Sequence, residues 1–346
     1  ALTSSISKKA LRYDLTIPFA RFVVMNRNEL TFPFKRYQVQ NVWRGDRPGK
    51  GRYQEFTQCD CDIIGSESML CELELVQIFS EGLSRLSVPG FRIMMNDRRV
   101  LKALASASQV SESHFTDWTT AVDKLDKIGM DGVVREFQER GLAPSAGEVL
   151  ATLVAKRSEP DVTAGLASIE DMISADKDGV DALDALRTLV QQAQDSGVPA
   201  NQLRFDPLLA RGLDYYTGAI FEVSLKFDVK NNKGQTIQFG SIGGGGRYDN
   251  LVSNFGDYDA PATGISIGLD RLVYALMQKK EFKVKRPRPV VICVFDKNLM
   301  KEYINLQTIL RKAGISTEIY PGDNKLKKQM EYANKIKSPA VILYGE

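Results

Sequence analysis

Arg44-Gly45-Asp46-Arg47-Pro48-Gly49-Lys50-Gly51-Arg52 sets four cations around three glycines in nine residues. Glycine lets a backbone approach a ligand closely, and arginine offers a planar fork that matches phosphate oxygens two at a time. An exposed basic turn would use the same residues, but four cations between ordered flanks favour a polyphosphate site. A second concentration is Arg211-Gly212-Leu213-Asp214-Tyr215-Tyr216-Thr217-Gly218. Arg211 would suit a substrate carboxylate or phosphate. Two adjacent tyrosines on a strand would face opposite sides, so one lines a pocket while the other packs. The third is Gly264-Ile265-Ser266-Ile267-Gly268-Leu269-Asp270-Arg271-Leu272, which reads as a strand entering a helix with Arg271 in its first turn. The run Gly243, Gly244, Gly245, Gly246 matches neither G-x-G-x-x-G nor a P-loop, so nicotinamide-binding and P-loop folds are disfavoured.

Ordered elements must hold these segments. Residues 34–44 alternate, with Tyr37 and Val39 on one face and Gln38, Gln40 and Val42 on the other, and alternation resumes over 53–64. Two strands around a basic turn predict a long antiparallel hairpin. Residues 11–16 read as loop or strand, and Pro18 is tolerated in the first turn of a helix opening beside it. Leu70, Leu73, Leu75, Val76, Phe79 and Leu83 predict a helix over 68–86, followed by a strand at 91–95. Residues 97–198 carry apolar side chains at helical intervals among Ala, Asp, Glu and Lys, which predicts a helical insertion with solvated charged faces. Strand signals return at 203–208, 220–227 and 236–239, residues 240–246 read as a flexible glycine loop, and 262–268 read as a strand leading to a helix from Leu269. A sheet core split by a helical insertion and then resumed is an α+β fold on antiparallel strands. The predicted organisation is a core in two parts, 1–96 and 199–282, an insertion at 97–198, a basic Pro-containing linker at 283–288, and a small parallel βαβαβ domain at 289–346.

The chain has 346 residues, 43% of them hydrophobic, enough for two or three domains with real cores. Its 46 basic and 43 acidic residues leave a net charge of +3, so nucleic-acid contact would depend on local patches. The cysteines Cys59, Cys61, Cys71 and Cys293 are too sparse for a disulfide scaffold, and with His114 the only histidine a zinc site lacks ligands. No apolar stretch is long enough to span a membrane and the first residues lack a leader, so a soluble, cytoplasmic protein is expected, with organellar use undecided. Three arginine–glycine segments over an antiparallel sheet floor, without a P-loop lysine, point to ATP bound in a bent pose.

The motifs resemble those of class II aminoacyl-tRNA synthetases. Phe34-Lys35-Arg36-Tyr37 with Val42 through Asp60 is similar to the class II strand–loop–strand motif in its histidyl form, and residues 264–272 resemble the third class II motif. The Arg-Gly-Leu-Asp-Tyr-Tyr segment resembles the histidine-specific signature, and Leu11-Arg12-Tyr13-Asp14-Leu15-Thr16 the amino-acid loop in its eukaryote-like form. The resemblance spans nearly the whole chain, least closely at 97–198. It implies a class II catalytic core with a helical insertion and a C-terminal α/β anticodon-binding domain.

Roles follow from the resemblance position by position. Arg44 would hold the ATP α-phosphate with Arg52 as a second polyphosphate contact, Phe56 would stack on adenine, and Arg271 would pin the far end of the triphosphate. Arg211 would sit between the histidine carboxylate and the α-phosphate. Asp14, Thr16 and Gln58 would hold the ammonium and polar end. Tyr216 and Asp62 would pair the imidazole nitrogens with Tyr215 beside them; Asp62 stands where many relatives carry glutamate. Gly243, Gly244, Gly245 and Gly246 would floor the pocket. The resemblance implies ATP-dependent formation of histidyl-adenylate, with Arg44, Arg211 and Mg²⁺ offsetting negative charge, then transfer to the terminal ribose of tRNA(His). A homodimer is expected. Two departures are noted: the family's first motif should lie upstream of Leu2, and the last part of the anticodon-binding domain is missing. A rival reading is the histidine-sensing regulatory subunit of ATP phosphoribosyltransferase, which shares the fold but commonly lacks much of the arginine set, whereas Arg44, Arg52, Arg211 and Arg271 are all present here. Position between catalytic segments suggests that the insertion clamps the tRNA acceptor arm.

Overall fold

The hairpin around the basic loop forms as its alternation predicts. Strand β1 (Phe34–Trp43) pairs antiparallel with β2 (Glu55–Ile64), Phe34 opposite Ile64 and Trp43 opposite Glu55. The computed structural model describes residues 9–49, 51–157, 159–211, 215–230, 236–237, 239–278 and 288–345. Lys50, the Gly212-Leu213-Asp214 part of the signature and residues 283–287 of the linker lie outside the described residues. By residue contacts the chain divides into two compact units, 1–279 and 280–346.

The first unit is built on a seven-stranded sheet in the order β1-β2-β9-β8-β5-β3-β4. Its other members are β3 (Phe91–Asp97), β4 (Leu203–Phe205), β5 (Ala219–Leu225), β8 (Gly243–Arg247) and β9 (Ala262–Gly268). All neighbours are antiparallel except β3 and β4, which run parallel. Residues 229–230 and 236–237 pair as β6 (Val229–Lys230) and β7 (Thr236–Ile237), a two-stranded ribbon separate from the main sheet.

The glycine run corrects the sequence reading. Gly243, Gly244, Gly245 and Gly246 form a buried strand at the heart of the sheet, between β5 and β9, not a flexible loop. Glycine weakens a strand in isolation, but here both sheet faces over β8 are taken by other groups. A Cβ on Gly243 would meet Phe79 at 3.1 Å, and one on Gly244 would collide with the Arg211 guanidinium. Tertiary packing therefore demands glycine where local propensity argues for a loop.

Helix α1 (Thr16–Asn26) carries Pro18 in its first turn, and α2 (Leu70–Arg85) buries Leu75, Val76, Phe79 and Leu83 completely. Each such side chain contributes about 1.5–3 kcal/mol when removed from water. With α2 on that face, the opposite face of the central strands is left for a ligand. Most of the described residues between 98 and 195 are helical, as expected. Helix α3 (Arg98–Ala107) starts where the Asp97 carboxylate accepts the Arg99 backbone N–H at 2.8 Å, satisfying an otherwise unpaired donor. Five helices follow: α4 (Phe115–Val122), α5 (Leu125–Glu139), α6 (Ser145–Lys156), α7 (Val162–Ala167) and α8 (Glu170–Ile173). The long α9 (Lys177–Asp195), capped by Asp176, returns the chain against α2 and α3. Apolar residues of these helices, Trp118 and Leu150 among them, belong to the same buried cluster as the sheet.

The second unit has the alternating order its sequence predicts: β10 (Val290–Cys293), α11 (Met300–Lys312), β11 (Thr317–Ile319), α12 (Leu326–Lys335) and β12 (Val341–Leu343). Helix α10 (Leu269–Met277) precedes it in the chain, within the first unit. The three strands are parallel in the order β11-β10-β12. Among the described residues no helix is long and apolar enough to cross a membrane.

Candidate active site

Strand parity places the candidate residues. Gln58, Asp60 and Asp62 alternate on one face of β2, opposite Gly268, Ser266 and Gly264 of β9, while Gly244 and Gly246 continue the row onto β8 and Glu222 onto β5. Glycine at 244 and 264 leaves this floor low. Arg211 lies over Gly244 and Asp62 over Gly264, each where a Cβ would stand.

Two adjoining cavities open on this face. One is lined by Arg44, Phe56, Arg271, Asp46, Tyr53, Ser241 and Gly243. The other is lined by Asp14, Thr16, Tyr215, Tyr216, Tyr248, Gly245 and Gly264. Arg44, Gln58, Arg211, Gly244 and Ser266 belong to both, so the two predicted cationic groups stand at the junction. A larger cavity of about 400 Å³ lies toward α4 and α5, walled by Asp123, Asp126, Glu222 and Asp228. Its acidic walls repel a polyphosphate, so volume is not what marks the site.

The first cavity is shaped for an anion. Arg271, in the first turn of α10, is fixed by bonds to the carbonyls of Gly51 (3.0 Å) and Ser241 (2.6 Å). Burial pulls its pKa down, and so do the neighbouring Arg52 and Arg44 cations. Such crowding of positive charge is relieved by a bound phosphate chain. The Arg44 guanidinium lies 4.4 Å from the Tyr13 ring centroid and 5.0 Å from that of Phe56, stacked in the cation–π range. Arg52 is at the rim, more than half exposed and paired with Asp46 at 3.1 Å. Asp270 serves the frame, accepting the Thr57 backbone N–H at 2.6 Å and so tying α10 to the start of β2.

The second cavity is lined by Asp14 beside Arg44 and Arg211, with buried carboxylates behind its wall. Asp14 accepts the Ile17 backbone N–H at 3.0 Å, and burial raises its pKa. Asp62, 2% exposed, takes the Tyr248 hydroxyl at 2.5 Å and an ion pair with Arg36 at 3.0 Å; burial nevertheless lifts it to about 6. It thus stands behind Tyr248 and does not line the cavity. Burial also lifts Asp60 to about 7, with Asp62 adding to the effect. Arg211 lies 3.5 Å from Glu222. Burial pulls Arg211 down, but Tyr216, Glu222 and Tyr215 outweigh it and hold the guanidinium charged.

The tyrosine pair is a second correction. Tyr215 and Tyr216 do not face opposite sides of a strand; they lie in a turn before β5, their ring centroids 4.8 Å apart, and both line the second cavity. Strict alternation belongs to extended backbone and lapses in a turn. Gly243 and Gly244 border the first cavity and Gly244 and Gly245 the second, while Gly246 pairs with Gly264 and borders neither. Sequence reasoning assigned no role to Tyr248, Ser266 or Asp60. The last two could have been found by parity with Gln58 and Gly264; Tyr248 sits just past the end of β8 and gave no periodic signal.

Among the described residues no group of three acidic, cysteine or histidine side chains gathers to hold a metal. Mg²⁺ keeps most of its shell from water and substrate phosphates, so the donor set fits an ion carried by the triphosphate, not one caged by protein.

An antiparallel sheet with two adjoining cavities that share Arg44 and Arg211 is the architecture of a class II aminoacyl-tRNA synthetase catalytic core. The sequence model of the histidyl-tRNA synthetase family matches residues 5–272 and that of the anticodon-binding domain residues 289–346. Histidine–tRNA ligase of Cytophaga hutchinsonii is 42% identical over all of this chain and 74% of its own length. A solved histidyl-tRNA synthetase from a Nostoc species superposes with a TM-score of 0.81 at 29% identity, over 96% of this chain and 75% of that one. A Bacillus halodurans structure titled as an ATP phosphoribosyltransferase regulatory subunit/histidyl-tRNA synthetase gives 0.74 at 22% identity, over 96% and 79%, and shares the fold. The chain belongs to the histidyl-tRNA synthetase family.

Proposed function

We propose that this chain is a histidine–tRNA ligase that activates L-histidine with ATP and transfers it to tRNA(His). The observation that carries the reading is the pair of adjoining cavities on one sheet face that share Arg44 and Arg211. The histidine carboxylate oxygen attacks the α-phosphorus, the bond to the bridging oxygen breaks, and pyrophosphate leaves. Nucleophile and phosphate are both anionic, so the site needs fixed positive charge at their meeting point and no general base. Arg44 and Arg211 supply it. Arg52 and Arg271 bind the outer phosphates and Phe56 the adenine, while Mg²⁺ neutralises charge on the triphosphate when bound. Asp14, Thr16 and Gln58 orient the amino acid's polar end. Tyr216, with Tyr215 beside it, presents its hydroxyl to the imidazole, and Asp62 acts through Tyr248. The terminal ribose hydroxyl of tRNA then attacks the acyl carbon and AMP leaves. A pocket built to pair ring nitrogens leaves its own groups unsatisfied by apolar analogues, so selectivity needs no editing.

Residues 97–198 are read as an insertion between the core segments 1–96 and 199–282, placed to clamp the acceptor arm, with 283–288 as a linker and 289–346 binding the anticodon. A homodimer fits the outward face of edge strand β1, where Tyr37 is 81% and Val39 50% exposed. The expected location is the cytoplasm. The relatives named above are bacterial, and the eukaryote-like form rests on the Leu11–Thr16 loop alone. Four retained arginines, two of them at the shared wall, weigh against the regulatory paralogue, because clustered guanidinium groups without an anion are costly.

The test is histidine-dependent exchange of labelled pyrophosphate into ATP. Exchange with histidine alone among the amino acids, reduced about 10²- to 10³-fold in Arg211→Ala, is the expected result. A folded protein that binds histidine yet catalyses no exchange would establish the regulatory reading instead.

A further inference from the structure

Asp60 is buried to 1% on the ligand face of β2, midway between Gln58 and Asp62, and no role in the reaction described above falls to it. Opposite it stand Ser266 on β9 and Gln38 on β1. Gln58 donates its amide to the Ser266 hydroxyl at 2.7 Å, and both side chains line the two cavities. That bond leaves the Gln58 Oε1 without a donor, and the Asp60 carboxylate has no close hydrogen bond, only the Ser266 hydroxyl near enough to pull its pKa down. The Gln58 amide oxygen and the Asp60 carboxylate are thus left short of donors in one row. Orphaned buried acceptors are costly, and a run of them beside a cavity marks the place of a ligand rich in N–H. An ammonium brings three donors and a positive charge.

The charged groups around Asp60 support the same ligand. Asp62 on its own strand and Asp14 from the segment before α1 are negative, Arg36 on β1 is positive and already paired with Asp62, and Ser266 on β9 is neutral. Cys59 and Cys61 occupy the other face of β2. Asp60 and Asp62 therefore share the Arg36 guanidinium, while Asp14 faces both Arg44 and Arg36. We propose that Asp60 is a positioning residue for the substrate: ionised, it supplies the negative charge beneath Gln58 and Ser266 that fixes the amino acid's α-ammonium over that row. This rests on the ligase reading and adds a residue to the set Asp14, Thr16 and Gln58.

Linkage follows from burial, which with Asp62 lifts Asp60 to about 7, while Ser266 and Arg36 pull it down. The folded form keeps its proton up to that pH, whereas the unfolded chain releases it near 3.8. The contribution of Asp60 to the stability of the ligand-free protein therefore falls as pH rises from about 4 to 7 and falls no further above that. A bound ammonium favours the ionised form, so binding near pH 7 expels the proton and acid weakens binding.

The experiment measures KM for histidine and for ATP by pyrophosphate exchange between pH 6 and 8.5 in the wild type and in Asp60→Asn. Histidine's own ring titrates in this range, so the comparison is the ratio of the two proteins at each pH. At pH 8 the variant should raise KM for histidine about tenfold, as expected for a lost charged contact, and leave KM for ATP within about twofold. Toward pH 6, where wild-type Asp60 is itself protonated, the ratio should fall toward one. Asp60→Asn removes a buried charge and should melt no lower than the wild type at pH 8. If it does not fold, Ser266→Ala serves: without the hydroxyl, the acid rise in histidine KM should move to higher pH. An unchanged KM at pH 8, a ratio independent of pH, or an unmoved acid limb in Ser266→Ala overturns the proposal. Wild-type protein without exchange would strike the ligase reading instead, and calorimetric histidine titrations of the same proteins then carry the same comparison.

Discussion

The two ends of the ligand face are built from one sheet yet strained in opposite senses. At the nucleotide end burial and the neighbouring Arg52 and Arg44 cations pull the Arg271 pKa down. At the amino-acid end Asp14, Asp60 and Asp62 crowd together, and burial pushes all three carboxyls toward their protonated forms. Each end would be more stable without its excess charge, and each is relieved by a ligand of the other sign. On the proposed ligase reading, ATP and an amino acid complete this charge balance from opposite sides. Arg211 stands where the two regimes meet, its own charge secured by Tyr216, Glu222 and Tyr215.

The sharpest way to break this arrangement is to disturb its boundary without deleting a charge. Gly244→Ala places a methyl group into the Arg211 guanidinium and within 2.8 Å of the Phe221 carbonyl. Exchange activity should fall about 10²-fold or more, with a lower melting temperature from strain in the central strands. Because one contact is lost in either case, Arg211→Ala combined with Gly244→Ala should be little worse in kcat than Arg211→Ala alone. Full additivity would show that Gly244 acts on something other than Arg211.

A smaller effect is expected within the acidic half. Tyr248→Phe deletes the hydroxyl that donates to Asp62 at 2.5 Å and leaves a buried carboxylate short of a donor, a cost of about 1–3 kcal/mol. Denaturant unfolding should show that loss, and KM for histidine should rise while KM for ATP holds. A parallel rise in both constants would mean that the two halves are not electrostatically separate.

The smallest change belongs to the rim. Arg52 is more than half exposed and paired with Asp46, so Arg52→Ala should raise KM for ATP only several-fold, and by less as salt increases. It should also leave KM for histidine untouched. A loss as large as that of Arg211→Ala would place Arg52 inside the reacting centre.

Much of this was legible in the residues themselves. The hairpin, α2, the strand-to-helix passage at Gly268 and the order of the second unit all followed from periodicity, because each presents a continuous apolar face at one spacing. The arginines suggested a polyphosphate site through charge and glycine alone, and the structure brings Arg44, Arg211 and Arg271 to one cavity. The positions that misled were those where a local rule met a neighbour the rule does not contain. Glycines 243–246 read as a loop because propensity knows nothing of Phe79 on one face and Arg211 on the other. Tyr215 and Tyr216 read as alternating because nothing nearby announced that the backbone turns there.

The amino-acid sequence by itself determined which elements form and which charges are available, since hydrophobic period and residue chemistry are local properties. Only the tertiary structure decided which of those charges meet. Asp60 and Asp62 differ by two places on one strand, yet Asp62 takes a close hydroxyl and a direct ion pair while Asp60 has neither contact at close range. The partners come from β1 and from the segment after β8, brought alongside by strand order, and sequence distance carries no record of that.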